Sequence, residues 1–245
     1  HVQFLGNNPD MLAANAAKVV ELGAPAIDLN FGCPAKTVNR HRGGSVLLDE
    51  PEVVHQLVKA VRDAIPSNIP VSTKMCLGYL DENHTLDNAH AIQDAGASWL
   101  TVHARTKADG YTPPAYWEKI QPITEALNIN VIANGEIWNN SDAKTCLQQS
   151  HCQDIMLGRG AVTTPDLSLC IRQNNDATVL SWQDLIELQQ RFLTGQYKTE
   201  IGMIGRYKQW LGMMSKAYPE AQQLWTQVKR IKQLEQIIEY LDKSC

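Results

Sequence analysis

The sequence has 245 residues, of which 44% are hydrophobic and 20% are charged, so the chain can bury a core and is not intrinsically disordered. Its 22 Lys and Arg residues are outnumbered by 26 Asp and Glu residues, which excludes a uniformly basic protein that coats nucleic acid. No apolar stretch reaches the ~18 residues that cross a membrane, so no membrane partner is expected. The N-terminal HVQFLGNNPD is no secretory signal, and six cysteines without a CxxC pair predict reduced thiols and a cytoplasmic location.

Six short apolar runs alternate with segments of helical periodicity through the first 180 residues. Uninterrupted apolar runs are typical of parallel strands that are covered on both faces. Asn8 is predicted to cap a helix with Pro9 in its first turn and Gly23 at its end, and Asp49 with Pro51 to begin another that stops before Pro66. The predicted strands are residues 2–5, 26–30, 69–74, 99–103, 130–133 and 154–157.

Repeated strand–helix units of this kind build either a (β/α)8 TIM barrel or an open doubly wound sheet. No GxGxxG motif follows the first strand, and polar residues follow strand after strand, which favours the barrel. Because six units are predicted rather than eight, we expect an α/β TIM barrel that lacks its first two strands in this chain. An unclosed barrel leaves two unpaired strand edges, which favours reduced stability or aggregation.

The periodicity changes after residue 180, where Ser181 is predicted to cap the first of several amphipathic helices. We therefore predict a partial barrel domain at residues 1–172 and an all-helical C-terminal domain at residues 181–245. The first 180 residues carry 13 basic and 19 acidic side chains, whereas the tail carries nine basic and seven acidic ones. A polyanionic partner is therefore expected to meet the tail.

Polar residues and glycines cluster directly after almost every predicted strand. In TIM barrels the active site lies at this carboxyl edge and draws on several strands at once. We expect the residues at this edge to form one site. They are Gln3, Asn30, Cys33, Lys74, His103, Arg105, Asn134, Gly135, Glu136, Gly158, Arg159 and Gly160.

Some of these positions predict particular chemistry. Cys33 follows a strand in a Gly-Cys-Pro turn, where a protonated thiol can act as a general acid or, beside a base, as a nucleophile. Lys74 ends a buried strand, where an ammonium requires an anionic ligand or partner. The turns at Asn134-Gly135 and Gly158-Arg159-Gly160 indicate a phosphate-bearing cofactor. No recognised metal-ligand spacing occurs, so no metal is expected.

Five segments resemble motifs of the tRNA-dihydrouridine synthase family and occur in this order: DLNFGCPAKTVNRHRGG, STKMCLGY, LTVHARTKADGY, VIANGEI and IMLGRGA. The resemblance runs from residue 2 through at least residue 162. The tail segment RYKQWL is similar to that of the bacterial C-type members, which act on uridine 16 of the D loop. The resemblance implies an FMN-binding (β/α)8 barrel, a tRNA-binding helical domain and a monomer. It also implies FMN-dependent, NADPH-driven reduction of a tRNA uridine to 5,6-dihydrouridine.

The same resemblance implies roles for individual residues. Cys33 matches the family's proton donor, Asn30 its uracil contact, and His103 the strand-end histidine near the flavin. The positions that match FMN contacts are Gln3, Lys74, Asn134, Gly135, Glu136, Gly158 and Arg159. The positions that match RNA contacts are Tyr111, Arg206, Lys208 and Trp210. Cys76 stands where related enzymes of this type carry arginine, so one RNA contact is absent. The family's first strand also supplies flavin contacts, so this chain alone is expected to bind FMN weakly.

Two other functions fit the same residues. A phosphate-binding barrel lyase would use Lys74 as a Schiff-base amine and would bind no flavin. A truncated RNA-binding remnant would bind tRNA through the tail with a salt-dependent affinity and would reduce nothing.

Overall fold

A computed structural model describes residues 1–195 and 199–243 of the chain. Within them, six parallel strands form one sheet in the order β1-β2-β3-β4-β5-β6. The strands are β1 Val2–Phe4, β2 Ile27–Phe31, β3 Val71–Gly78, β4 Trp99–Thr106, β5 Asn130–Asn134 and β6 Asp154–Met156. All six predicted strands are confirmed. β3 and β4 extend beyond the predicted ends because the two strands keep pairing as far as Gly78 and Thr106.

Twelve α-helices and two short 3-10 helices accompany the described strands. The helices are α1 Pro9–Glu21, α2 Lys36–Arg40, α3 Pro51–Ala64, α4 Thr85–Asp94, α5 Gln121–Ala126, α6 Asn140–Ser150, α7 Arg159–Thr163, α8 Leu167–Arg172, α9 Trp182–Leu193, α10 Glu200–Met214, α11 Pro219–Val228 and α12 Leu234–Asp242, with 3-10 helices at Gly44–Asp49 and Trp117–Lys119. No helix of the described chain is both long and apolar enough to cross a membrane.

The local signals for helix ends were mostly correct. The Asn8 side chain accepts a hydrogen bond of 2.9 Å from the Met11 amide, as an N-cap does. The prediction that Asp49 with Pro51 begins the next helix is correct for Pro51, the first residue of α3, and wrong for Asp49, which ends a 3-10 helix. Proline is preorganised for the first helical position, where its missing N–H costs nothing.

The strand order distinguishes between the two architectures that the sequence allowed. A doubly wound sheet reverses its strand order at a switch point, whereas here each strand pairs with the next one along the chain. Sequential parallel order is the order of a TIM barrel. The expectation that two further strands precede Val2 concerns residues outside this chain and stays a prediction.

The described chain divides into two compact units. The first comprises His1–Glu136 and Lys144–Met156, and the second comprises Ile137–Ala143 and Leu157–Cys245. Residues 157–172, predicted to belong to the barrel domain, therefore group with the helical tail by compactness. The predicted functional boundary at residues 172–181 stays a prediction. The predicted helical domain also contains residues 196–198, 244 and 245, which lie outside the described residues.

The helical unit has its own core. Ser181 begins α9 with a capping box, in which its hydroxyl and the Asp184 carboxylate each bond the other residue's amide. The predicted Ser181 cap is thus confirmed. Tyr207 lies in the middle of the core, fully buried, and its hydroxyl donates a 3.0 Å hydrogen bond to Oε1 of Gln189. Leucine, isoleucine and methionine side chains from α9 to α12 pack around it.

Candidate active site

The register of the sheet places five predicted site residues in neighbouring positions of the first unit. Gln3 lies on β1, and Asn30 of β2 is paired with Lys74 of β3. His103 of β4 is paired with Asn134, the last residue of β5. Because the strands are parallel, side chains near their carboxyl ends meet at one edge of the sheet. The structure therefore places these five residues along one edge of the sheet, and their predicted roles stay predictions.

A hydrogen-bonded network fixes the first two of these side chains. The Gln3 amide donates to Oδ2 of Asp28 at 2.6 Å and accepts from Nδ2 of Asn30 at 3.1 Å. Oδ1 of Asn30 accepts from the Gly32 amide at 2.9 Å, and Ser72 donates to the other Asp28 oxygen at 2.6 Å. Sequence reasoning missed Asp28 as a site residue. Its signal was a carboxylate on an otherwise apolar strand, two residues before Asn30.

A cavity of about 220 Å³ lies at this edge of the sheet. Its lining includes Gly32, Pro34, Lys74, Cys76, His103, Tyr111 and Asn134. Burial lowers the pKa of Lys74, although the nearby Cys76 and Asp28 favour its charged form. The Lys74 ammonium makes no hydrogen bond to any residue that the structure describes. A nearly buried donor without an acceptor suits a ligand that carries carbonyl oxygens or negative charge, and the flavin ring of FMN is such a ligand.

Cys33 lies in a rigid loop directly after β2, between two residues that line the cavity. Its side chain is partly exposed. Its carbonyl oxygen accepts three hydrogen bonds, from Nδ2 of Asn39 at 2.9 Å, from the Ser45 hydroxyl at 3.0 Å and from the Ser45 amide at 3.2 Å. Gly44 has a φ of +67°, and a Cβ atom there would lie 2.7 Å from the same oxygen. The loop thus holds the backbone of Cys33 in one position.

Cys76 lies deeper in the same cavity. Its Sγ is 3.7 Å from the Gly32 carbonyl oxygen and 3.9 Å from Nδ1 of His103. Burial raises the pKa of the Cys76 thiol, and the Lys74 ammonium opposes that rise. The thiol is therefore neutral at physiological pH. Cys76 therefore places a small uncharged group close to the histidine.

Arg105 is a site residue whose role the sequence did not reveal. It lies two residues after His103 on β4 and is fully buried. Its Nε donates to the Pro114 carbonyl at 3.0 Å, and its Nη1 donates to Oε1 of Glu136 at 3.1 Å. Arg105 therefore connects the loop after β4 with the turn after β5. The predicted FMN contact of Glu136 stays a prediction, and its carboxylate already pairs with this guanidinium.

The loop after β4 carries Tyr111 to the mouth of the cavity. The Tyr111 side chain is exposed, and its ring centroid is 6.4 Å from that of His103. Asn134 lies on the other side of His103 and donates from Nδ2 to the Met156 carbonyl at 2.8 Å. The turn residue Gly135 accepts a 2.7 Å hydrogen bond from Nε1 of Trp117. Tyr111, Asn134 and Gly135 therefore surround the imidazole.

The remaining predicted cofactor residues belong to the second unit. Gly158 precedes α7, and Arg159 is its first residue, with the guanidinium carbon 5.3 Å from the centroid of the Trp138 ring. Their predicted contact with a phosphate stays a prediction.

The three predicted RNA-binding residues of α10 do not share one face of that helix. Arg206 and Trp210 are four residues apart and line the same groove of about 730 Å³. Lys208 points elsewhere and donates to the carbonyl oxygens of Lys229 and Ile231. Burial, together with the charge of nearby Lys232, lowers the pKa of Lys208. Lys208 thus bonds backbone carbonyl oxygens that directly follow α11. Its predicted contact with RNA stays a prediction.

Solved structures define the class of fold. A 2-naphthoyl-CoA reductase in complex with 2-naphthoyl-CoA matches 69% of this chain and 29% of its own, with a TM-score of 0.55 and 10% identity. A dihydrodipicolinate synthase family protein from Coccidioides immitis matches 97% of this chain and 70% of its own, with a TM-score of 0.52 and 12% identity. These likenesses show the fold alone. Together with the strand order, they define an α/β protein of the TIM-barrel type.

Sequence comparison defines the family. Residues 1–244 match the dihydrouridine synthase family model. The tRNA-dihydrouridine(16) synthase of Shewanella oneidensis is 45% identical over 247 residues, which cover 99% of this chain and 77% of that protein. The tRNA-dihydrouridine(16) synthase of Pseudomonas putida is 48% identical over 239 residues, which cover 94% of this chain and 72% of that protein. The chain belongs to the dihydrouridine synthase family, as the motifs predicted.

Proposed function

We propose that the protein reduces a uridine of tRNA, uridine 16 in the D loop, to 5,6-dihydrouridine, with FMN as the cofactor and NADPH as the reductant. The observation that carries this proposal is the arrangement of Gln3, Asn30, Lys74, His103 and Asn134 along one sheet edge. The similarity to proteins described as tRNA-dihydrouridine(16) synthases supports the choice of substrate.

Each residue has a task in this proposal. Lys74 supplies its free ammonium to an oxygen or ring nitrogen of the flavin, and His103 lies beside the ring. Asn30, held by Gln3 and Gly32, presents its amide to the uracil edge. Gly158 and Arg159 bind the cofactor phosphate, while Arg206 and Trp210 contact the tRNA. A uridine must leave its stack to reach such a cavity.

Bound reduced flavin supplies a hydride to one carbon of the uracil C5=C6 bond. The other carbon then requires a proton, and we assign that proton to the Cys33 thiol. The hydrogen bonds to the Cys33 carbonyl keep this residue in place beside the cavity lining. One hydride and one proton balance the conversion of uridine to dihydrouridine.

Replacing Cys33 with alanine tests the proposal. In the full-length protein, we expect Cys33→Ala to retain FMN, seen in its absorption spectrum, and to lose at least 100-fold in dihydrouridine formation, within the ~10²–10⁴-fold range of general acid catalysis. The assay is mass spectrometry of nucleosides from tRNA of a strain that lacks the modification. Cys170→Ala, a buried thiol of the helical unit, is the matched control and should remain active. Unchanged turnover of Cys33→Ala would reject the assigned proton donor.

The lowered pKa of Lys74 also favours a second function, a lyase that uses its amine as a nucleophile. That function requires a covalent adduct on Lys74 that borohydride traps, in a protein that binds no flavin. Trapping without a flavin spectrum would replace the reductase proposal. A protein that binds tRNA with neither activity would be the RNA-binding remnant.

A further inference from the structure

A cationic surface follows Cys33 directly in the chain. It consists of Lys36 and Arg40, the first and last residues of α2, and we call it the α2 surface. Both side chains are exposed, and they lie four residues apart, on the same face of the helix. No acidic residue occurs between Asn30 and Leu48. Two like charges therefore lie side by side in a stretch of sequence that contains no acidic residue.

Lys36 and Arg40 differ from several surface cations of the first unit, which are paired with carboxylates. That unit holds 11 Lys and Arg residues against 16 Asp and Glu residues, and four of its surface cations form such pairs. The pairs are Lys18–Glu21, Arg42–Glu50, Lys59–Asp63 and Lys119–Glu82. In the part of the chain that the structure describes, Lys36 and Arg40 have no hydrogen-bond or ion-pair partner. Like charges at this helical spacing destabilise a helix by roughly 0.2–0.5 kcal/mol, so folding alone does not favour them.

The α2 surface is held firmly relative to Cys33. The buried Asn39 of α2 donates from Nδ2 to the carbonyl oxygens of Cys33 and Ala35, each at 2.9 Å. Its Oδ1 accepts from the Val46 amide at 2.8 Å and lies 3.0 Å from the Ser45 hydroxyl oxygen, whose single hydrogen it shares with the Cys33 carbonyl. All the main hydrogen-bonding sites of this amide are therefore occupied. Lys36 and Arg40 flank Asn39 on a helix that is tied to the loop of the proposed proton donor.

The cavity lining carries a further cation from the loop after β4. Lys107 lines the cavity, with its ammonium 4.6 Å from the centroid of the Tyr79 ring. Pro34 also lines the cavity, two residues before Lys36. The α2 surface therefore follows the cavity lining closely in the chain, and the lining itself includes a positive charge.

We propose that the α2 surface binds phosphate groups of the RNA strand whose uridine enters the cavity. This inference rests on the proposed function and adds a phosphate contact to the RNA contacts predicted for Tyr111 and the tail. When a base leaves its stack and enters a closed pocket, the phosphates on either side of it remain at the rim. Two adjacent exposed cations match such a repeating charge, because phosphate contacts need charge and reach rather than sequence readout.

The test compares two double variants of the full-length, FMN-loaded protein. K36A/R40A removes the α2 surface, and K18A/K59A removes the same charge from α1 and α3 of the same unit. We expect K36A/R40A to weaken tRNA binding by on the order of tenfold at ~0.1 M salt and to lower the slope of log affinity against log salt by about 1.4–1.8. We expect the control to change neither quantity appreciably, and NADPH-driven flavin reduction without tRNA to keep its rate in both variants.

Three outcomes would overturn the inference. The first is an unchanged salt slope in K36A/R40A while the wild-type protein binds and modifies tRNA. The second is an equal loss in K18A/K59A, which would mean that net charge alone matters. The third is slowed flavin reduction by NADPH with unchanged tRNA affinity, which would assign the α2 surface to the reductant. A wild-type protein that modifies no tRNA would instead reject the proposed function, and this inference with it.

Discussion

Lys74 is placed where its charge is unfavourable until a ligand arrives. Its ammonium is nearly buried, and this burial lowers the pKa of Lys74. The ammonium also has no hydrogen-bond partner among the residues described. The negative charge of Asp28 offsets part of the cost of burying the ammonium, but the Asp28 carboxylate is already hydrogen-bonded to Gln3 and Ser72. The folded protein therefore retains an unfavourable charge at the point where the cofactor is proposed to bind. Such a trade of stability for binding is common at functional sites.

Replacing Lys74 with methionine should separate stability from binding. We expect Lys74→Met to increase the free energy of unfolding of the flavin-free protein by about 1 kcal/mol, the order of the cost of a buried polar group without a partner. The variant should also bind FMN much more weakly. Urea titration and flavin fluorescence measure the two effects. Lys59→Met, an exposed lysine paired with Asp63, should change neither.

The pH dependence of stability should change in the same variant. The pKa of Lys74 in the folded protein lies below its ordinary value of 10.5, so between the two values the unfolded chain binds more protons than the folded one. Stability of the wild-type protein then rises with pH through that interval, and the penalty is complete below it. Lys74→Met should lack this rise. Parallel slopes for both proteins in alkaline urea titrations would mean that the lysine is not buried as described.

At the scale of elements, the loop between β2 and α3 shows how much the sequence could reveal. The Gly-Cys-Pro turn located Cys33 correctly after a strand, because apolar runs and turn residues are local signals. The contacts that fix the loop are not local: Asn39 and Ser45 are identified as its anchors only when the chain has folded back on the Cys33 carbonyl. Arg105 was predicted to lie at the site, but its contact with Glu136 could not be predicted for the same reason, since that partner lies 31 residues away.

A glycine pair tests the rigidity of this loop. Gly44→Ala introduces a methyl group 2.7 Å from the Cys33 oxygen at a φ of +67°, whereas Gly23→Ala at a φ of +93° meets no described atom within 4 Å. Both changes incur roughly 1–2 kcal/mol of backbone strain. We expect only Gly44→Ala to lower dihydrouridine formation as well, measured by the nucleoside assay. Equal activity of the two variants would contradict a loop that positions the thiol.

At the scale of the whole molecule, the chain consists of two units with separate cores. The change of periodicity after residue 180 predicted a helical part, and the capping box at Ser181 confirms where α9 begins. The sequence placed α7 and α8 with the barrel because their motifs follow a barrel strand. In the folded protein, α7 and α8 belong to the second compact unit. This grouping depends on tertiary contacts, which the sequence pattern alone does not reveal.

Separate cores predict separate unfolding transitions. Tyr207→Phe removes the donor to Gln189 in the core of the second unit and leaves a buried amide oxygen without a partner, at a cost of roughly 1–3 kcal/mol. For Tyr207→Phe, we expect calorimetry to show a lower melting temperature for the transition of the second unit only. Gly44→Ala should lower only the melting temperature of the first unit. Gln222→Ala, at an exposed position of α11, is the control and should shift neither. One transition that moves in both core variants would show that the units unfold together.

The buried ion pair of Arg105 and Glu136 has an evolutionary consequence. Loss of either partner leaves an uncompensated charge in the protein interior, a defect that commonly costs about 3–5 kcal/mol, while loss of both is far less harmful. We therefore expect a single replacement at either position to be selected against, and changes at the two positions to occur together. The loop after β4 and the turn after β5 depend on each other through this one contact.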